Sequence, residues 1–116
     1  MSDGAERGPS ESWDLVVVGA GPAGSAAALG ALRVDPALRV LLLDRADFPR
    51  DKTCGDGIAP HVLDVLAGVG AADVVEDWEP LRRLDLAHGS RTVAGRLRRP
   101  VWVIPRAVFD LSLIHI

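Results

Sequence analysis

Residues 14–24 read DLVVVGAGPAG, and the fold follows from this stretch. The run 14–18 is dominated by Val, as in a parallel strand buried on both faces. Gly19-Ala20-Gly21-Pro22-Ala23-Gly24 follows at once, with the G-x-G-x-x-G spacing of a phosphate-binding turn. Pro22 suits the first turn of a helix, where its missing N–H costs nothing. Residues 25–33 are rich in Ala and Leu and extend that helix. Val34-Asp35-Pro36 stops it, because the residue before a proline is biased away from helical backbone. Residues 39–43 (RVLLL) form a second buried strand, closed by Asp44. Strand, helix and strand at these lengths make a βαβ unit.

Each position in the turn has a task in dinucleotide recognition. Gly19 permits the tight turn, Gly21 lets the backbone approach a pyrophosphate because no Cβ intervenes, and Gly24 lets the helix pack close to the strands. The helix N-terminus offers unpaired N–H groups and the positive end of its dipole to phosphates. Asp44 lies 20 residues after Gly24, where a carboxylate accepts hydrogen bonds from ribose hydroxyls. The plain alternatives are a glycine turn without a ligand and an Asp44 that merely ends a solvated strand. The spacing does not separate nicotinamide from flavin dinucleotides.

Composition limits what such a unit belongs to. The 116 residues allow one domain at most. A content of 48% hydrophobic and 25% charged residues excludes disorder over the whole chain. The formal net charge of −3 lacks the basic footprint of a nucleic-acid binder. Cys54 is the single cysteine, so no internal disulfide forms and a reducing compartment fits. No metal site is expected. Twelve of the 13 basic residues are Arg, with Lys52 the one Lys, as a GC-rich genome would encode. Residues 1–12 are polar, lack the apolar segment of a secretory signal, and read as a disordered lead-in. Residues 15–32 carry no charge and are long enough to pose the question of a membrane span. Their glycines and Pro22 account for them as strand, turn and helix instead.

Residues 45–57 form a loop rich in Asp, Pro and Gly. Residues 58–67 predict a helix with Val62, Leu63, Val65 and Leu66 on its apolar face, ended by Gly68 or Gly70. A short helical turn is expected in 71–77. Residues 81–87 (LRRLDLA) alternate apolar and charged side chains, as a half-exposed strand does. His88-Gly89-Ser90 is a turn, 92–97 and 101–104 are further strands, and Pro105 opens a last helix through Arg106, Val108 and Phe109. The expected class is therefore α/β, the N-terminal part of a Rossmann-like domain: a βαβ unit, then a loop, a helix and a few antiparallel strands. Arg82, Arg83, Arg96, Arg98 and Arg99 decorate exposed strand faces, while His61, His88 and the tryptophans are assigned to no site.

The loop continues as FPRDKTCGDG at 48–57, joining basic residues, a thiol and glycines. Read by itself it is equally a solvated surface loop. Together with GAGPAG at 19–24 and Asp44-Arg45, it resembles the geranylgeranyl reductase family. These are FAD-dependent reductases of isoprenoid double bonds, within the class of flavoproteins built like p-hydroxybenzoate hydroxylase. The resemblance covers about residues 14–110, and P-R-x-K-x-C-G-x-G is its most specific element. Related flavin-dependent halogenases share the F-P-R but continue with G-E-S, from which Cys54-Gly55-Asp56-Gly57 departs.

The resemblance implies FAD as cofactor. The turn of Gly19, Gly21, Pro22, Ala23 and Gly24 would hold its pyrophosphate and Asp44 its adenosine ribose. Arg45 and Arg50 would lie beside it, with Arg50 the closer contact. Cys54, Gly55, Asp56 and Gly57 would line the flavin and substrate face. Arg106, in PRAVFD at 105–110, matches a cofactor-contacting Arg of such flavoproteins. NAD(P)H or another donor would be the reductant, and the alkene would gain a hydride and, at the adjoining carbon, a proton. Cys54 is the candidate proton donor; the plain reading is a small buried thiol. The implied activity is reduction of geranylgeranyl or polyprenyl double bonds. An FAD-dependent aromatic monooxygenase or halogenase is the alternative, and an inert fragment or non-catalytic nucleotide-binding module is the alternative of another class. A cytoplasmic location is implied, with a lipid-like substrate placing the work at the periphery of a membrane.

Residues 111–116 (LSLIHI) break the pattern, holding two of the four Ile residues. They can be encoded by CTG TCT CTT ATA CAC ATC, and that string is the transposase end used as a sequencing adapter. The expected division is thus a partial FAD-binding domain at 13–110 followed by an adapter-derived tail, with a later glycine-aspartate segment and a substrate domain lacking. Cut there, the first strand has a neighbour on one side only. The chain alone is expected to be unstable and inactive and to retain little FAD.

Overall fold

The computed structural model describes residues 11–116, so the lead-in expected at 1–12 falls almost wholly outside the described residues. Strand β1 (Leu15–Val18) pairs in parallel with β2 (Val40–Leu43), from Leu15 opposite Val40 to Val18 opposite Leu43. A parallel pair needs a crossover, and α1 (Pro22–Val34) supplies it. The far end of the pair is pinned by Arg39, whose N–H donates to the Asp14 carboxylate at 2.8 Å and whose guanidinium lies 5.1 Å from the Trp13 ring centre. At the near end the Gly19 N–H donates to the Leu43 carbonyl at 2.6 Å, carrying the ladder into the glycine turn.

The expectation that β1 is buried on both faces is corrected. Val17 faces α1 and is half-buried, whereas Val16 and Val18 are 49% and 83% exposed. Among the described residues α1 covers one face of the pair and no second layer covers the other.

The second unit begins with β3 (Gly57–Ile58), a two-residue strand that the sequence does not announce. It leads into α2 (Pro60–Gly68), a 3-10 turn (Ala72–Val75), β4 (Leu81–His88), β5 (Arg91–Val103) and α3 (Arg106–His115). The sheet order is β3-β5-β4, antiparallel throughout. Strand β5 is continuous where two strands were expected. It absorbs Pro100 at an irregularity: Leu81 pairs with Val101 but Arg83 with Arg96, so extra β5 residues leave the ladder there.

The core lies where α2, α3 and the inner end of β5 meet. Ile58, Leu66, Ala71, Ile104, Phe109 and Leu113 form it, with Trp78 and Trp102 packed alongside. The Trp102 indole N–H donates to the Trp78 carbonyl at 3.2 Å. Helix α3 runs on through Leu111–Ser112 to His115, and Leu113, in the segment read as a tail, is 2% exposed.

Away from this core the β4–β5 hairpin has no cover. Every residue of β4 is exposed, correcting the half-exposed expectation. Leu84, Leu86 and Val93 share one face, as alternation requires, but no described element packs on it. No helix among the described residues is long and apolar enough to cross a membrane.

Candidate functional site

The site is built around the turn joining β1 to α1. Gly19 has φ +106°, which side-chain-bearing residues rarely adopt. A Cβ on Gly24 would lie 1.7 Å from the Gly19 carbonyl oxygen and 3.3 Å from Val17 Cγ1, so α1 seats on β1 only with glycine there. Gly21 caps α1 with extended backbone, and no side chain caps the first N–H groups of the helix. They remain available to an anion.

Asp44 braces this turn from the end of β2. Its Oδ2 accepts from the Ala20 N–H at 2.9 Å, and its Oδ1 from the Ala46 N–H at 2.8 Å. The Ala20 bond and then the Ala46 bond hold its carboxyl below the ordinary 3.8, with the charges of Arg50 and Arg45 adding less. Each carboxylate oxygen keeps a second acceptor site, so bracing the turn leaves room for a ribose hydroxyl. Beside it opens a cleft of about 540 Å³ with Gly19, Asp44, Arg45, Arg50 and Lys52 among its walls.

A second, smaller cavity of about 180 Å³ lies on the α3 side, lined by Pro22, Cys54, Asp56, Gly57, Phe109 and Arg106 among others. Cys54 is exposed, which corrects the buried-thiol reading. Asp56 adopts φ +59°, a conformation Asp tolerates better than most residues, and its carbonyl accepts from the Ile104 N–H at 3.0 Å. Asp56 Oδ1 is buried with no hydrogen-bond partner among the described residues. Ala23 and Gly55, also singled out from the sequence, are exposed, and a Cβ on Gly55 would meet nothing within 4 Å.

Between the two cavities stand Arg50 and Arg106. A Cβ on Gly21 would sit 3.6 Å from Arg50 Nη2 and 3.7 Å from Arg106 Nη2, so bare backbone faces both guanidinium groups. Both are gripped by Asp110, which the sequence reading left out of the site. Arg50 Nη1 donates to Asp110 Oδ2 at 2.7 Å; Arg106 Nε donates to Oδ1 at 2.7 Å and its Nη2 to Oδ2 at 3.0 Å. The Asp110 side chain has 0% exposure, against 16% for Arg50 and 17% for Arg106. The hydrogen bond to Asp110 raises the Arg106 pKa, and the nearby Cys54 thiol adds to the effect. The i,i+4 spacing of Arg106 and Asp110 was a legible signal; the tie to Arg50, 60 residues away, was not.

No protein-family model matches the chain. The chain is 51% identical over 67 residues to a menaquinone reductase of Mycobacterium tuberculosis, covering 58% of this chain and 16% of that protein. It is 37% identical over 103 residues to digeranylgeranylglycerophospholipid reductase 2 of Methanopyrus kandleri, covering 88% of this chain and 25% of that protein. It therefore spans a quarter or less of these relatives' length. Among solved structures, a myxobacterial chondrochloren halogenase, described as a variant of FAD-dependent halogenases, superposes with TM-score 0.71 and 28% identity over 89% of this chain and 26% of its own. A p-nitrophenol 4-monooxygenase from Pseudomonas putida superposes with TM-score 0.70 and 16% identity over 87% of this chain and 28% of its own, which concerns the fold alone. The mixed α/β architecture is thus one shared with flavin-halogenase and monooxygenase structures.

Proposed function

We propose that this chain is the dinucleotide-binding portion of an FAD-dependent oxidoreductase, and that the intact enzyme reduces double bonds of isoprenoid chains. The observation that carries the reading is the convergence of Arg50 and Arg106 on the bare backbone of Gly21, at the uncapped start of α1. Such a cradle fits a diphosphate. The 540 Å³ cleft beside Asp44 fits an adenosine, with the carboxylate accepting from its ribose. The unpartnered Asp56 Oδ1 fits a hydrogen-bond donor of a ligand in the smaller cavity. Bound FAD supplies hydride chemistry, with NAD(P)H or another reductant as the source of the electron pair.

The chain's own residues then divide the work. The glycine turn, Arg50 and Arg106 bind and orient; Asp44 fixes the turn; Pro22, Gly57 and Phe109 shape the smaller cavity. Cys54 lines that cavity while remaining exposed, and is the candidate to hold the proton an alkene needs. The relatives named as reductases of menaquinone and of a digeranylgeranyl lipid favour an isoprenoid substrate, and with it work beside a membrane. The halogenase similarity favours a second reading, an FAD-dependent enzyme acting on an aromatic ring.

The first test is to sequence the genomic DNA across codon 110, because 111–116 is proposed to be adapter-derived. The gene product encoded there is then purified and offered a polyprenyl quinone and a phenol separately. Flavin absorbance with two hydrogens gained per reduced side-chain bond supports the reductase reading. Oxygen or halogen added to the ring replaces it with the second. A protein without flavin ends both.

A further inference from the structure

Asp110 spends both carboxylate oxygens on two guanidinium groups and is wholly buried. One carboxylate needs one cation for neutrality, so the Arg50–Asp110–Arg106 cluster keeps a net charge of +1. The two arginines come from distant places: Arg50 from the loop after β2, Arg106 from the first turn of α3. Asp110 lies one turn further along α3. The Phe48 ring backs Arg50, whose guanidinium carbon lies 4.7 Å from its centre. Among the described residues Arg50 Nη2 has no hydrogen-bond partner, and it stands over Gly21 together with Arg106 Nη2.

An exposed arginine loses much side-chain freedom when a ligand orders it. Here Asp110 orders both in advance. A bare pair of arginines would repel each other across Gly21, and the shared carboxylate removes that repulsion while leaving the surplus charge.

We propose that Asp110 is a positioning residue that holds Arg50 and Arg106 as a preset pair of donors for the diphosphate of the dinucleotide lying over Gly21. The proposal rests on the dinucleotide reading above. Asp110 touches no ligand itself. Asn at this position replaces one accepting oxygen by a donor, so one arginine loses its tether while the volume of the side chain is kept.

The test uses the intact gene product freed of flavin, titrated calorimetrically with ADP and, separately, with adenosine. Asp110→Asn is expected to weaken ADP binding about tenfold or more, the scale of a hydrogen bond to a charged group, and to leave adenosine affinity within about twofold. Asp110→Glu keeps the charge but displaces it by a methylene, and an ADP-selective loss is expected there too; it serves alone if the Asn variant fails to fold. Unchanged ADP affinity in the variants overturns the proposal. So does an equal loss for ADP and adenosine, which marks a purely structural residue. If the unmutated protein binds neither compound, the dinucleotide reading itself fails.

Discussion

Two ion-paired regions of this molecule follow opposite rules. At the glycine turn, Asp110 is buried at 0% exposure and ties together arginines that are 16% and 17% exposed. At the base of the β4–β5 hairpin, Arg99 grips Asp64 of α2 in a two-pronged pair at 2.6 and 2.9 Å, with 54% and 59% exposure. Further out, Arg83 and Asp85 pair at 68% and 51% exposure. The geometry of the Arg99 pair is as good as that of the buried cluster. Water screens one and not the other, so similar distances carry different consequences. The difference teaches that burial, rather than the length of an ion pair, decides how firmly its charges are held.

The largest effect that tests the contrast is at Asp110. Asp110→Ala leaves two partly buried guanidinium groups without their anion, and a loss of about 3 kcal/mol in urea unfolding of the intact gene product is expected. A loss no larger than that of a surface substitution would erase the distinction between the regions. Next comes Gly24→Ala, whose Cβ would meet the Gly19 carbonyl at 1.7 Å. Backbone must move, so a loss of about 1–3 kcal/mol is expected together with weaker FAD retention, read by flavin fluorescence.

A smaller effect is expected from Asp44→Asn, on the acid side. The folded Asp44 carboxyl lies below its ordinary 3.8, mainly through the Ala20 N–H. Its stabilisation is therefore present above that value and is lost as pH falls through the lower folded pKa. Unfolding midpoints measured on the way down from pH 5 should fall less steeply in the Asn variant. Identical slopes would mean that Asp44 does not brace the turn.

The smallest effect is at the exposed pair. Arg99 is raised and Asp64 lowered in pKa by their mutual hydrogen bonds, but both face solvent. Arg99→Met is expected to shift the midpoint slightly at low salt, with the shift vanishing at about 1 M salt, where the screening length is about 3 Å. A shift that survives high salt would put this pair in the same class as Asp110.

The sequence by itself determined the βαβ unit and the glycine turn. Those depend on local chemistry: a positive φ at Gly19, a forbidden Cβ at Gly24, a proline at the first position of α1. Spacing along the chain records such demands directly. It also carried Asp44, whose distance from the turn is set by one helix and one strand. The tertiary structure alone decided the rest. Alternation in β4 marked an apolar face but not whether anything covers it, since a pattern specifies sidedness and burial needs a partner layer. Residues 92–97 and 101–104 read as two strands, yet β5 runs through Pro100 because extra residues leave the ladder there. Asp56 was legible as a loop residue, while its φ of +59° and its buried, unpartnered Oδ1 appear only in the folded chain. The Asp110 cluster joins residues 60 positions apart, and no local period encodes such a meeting. It exists because α3 packs against α1 and brings Asp110 under the loop that carries Arg50.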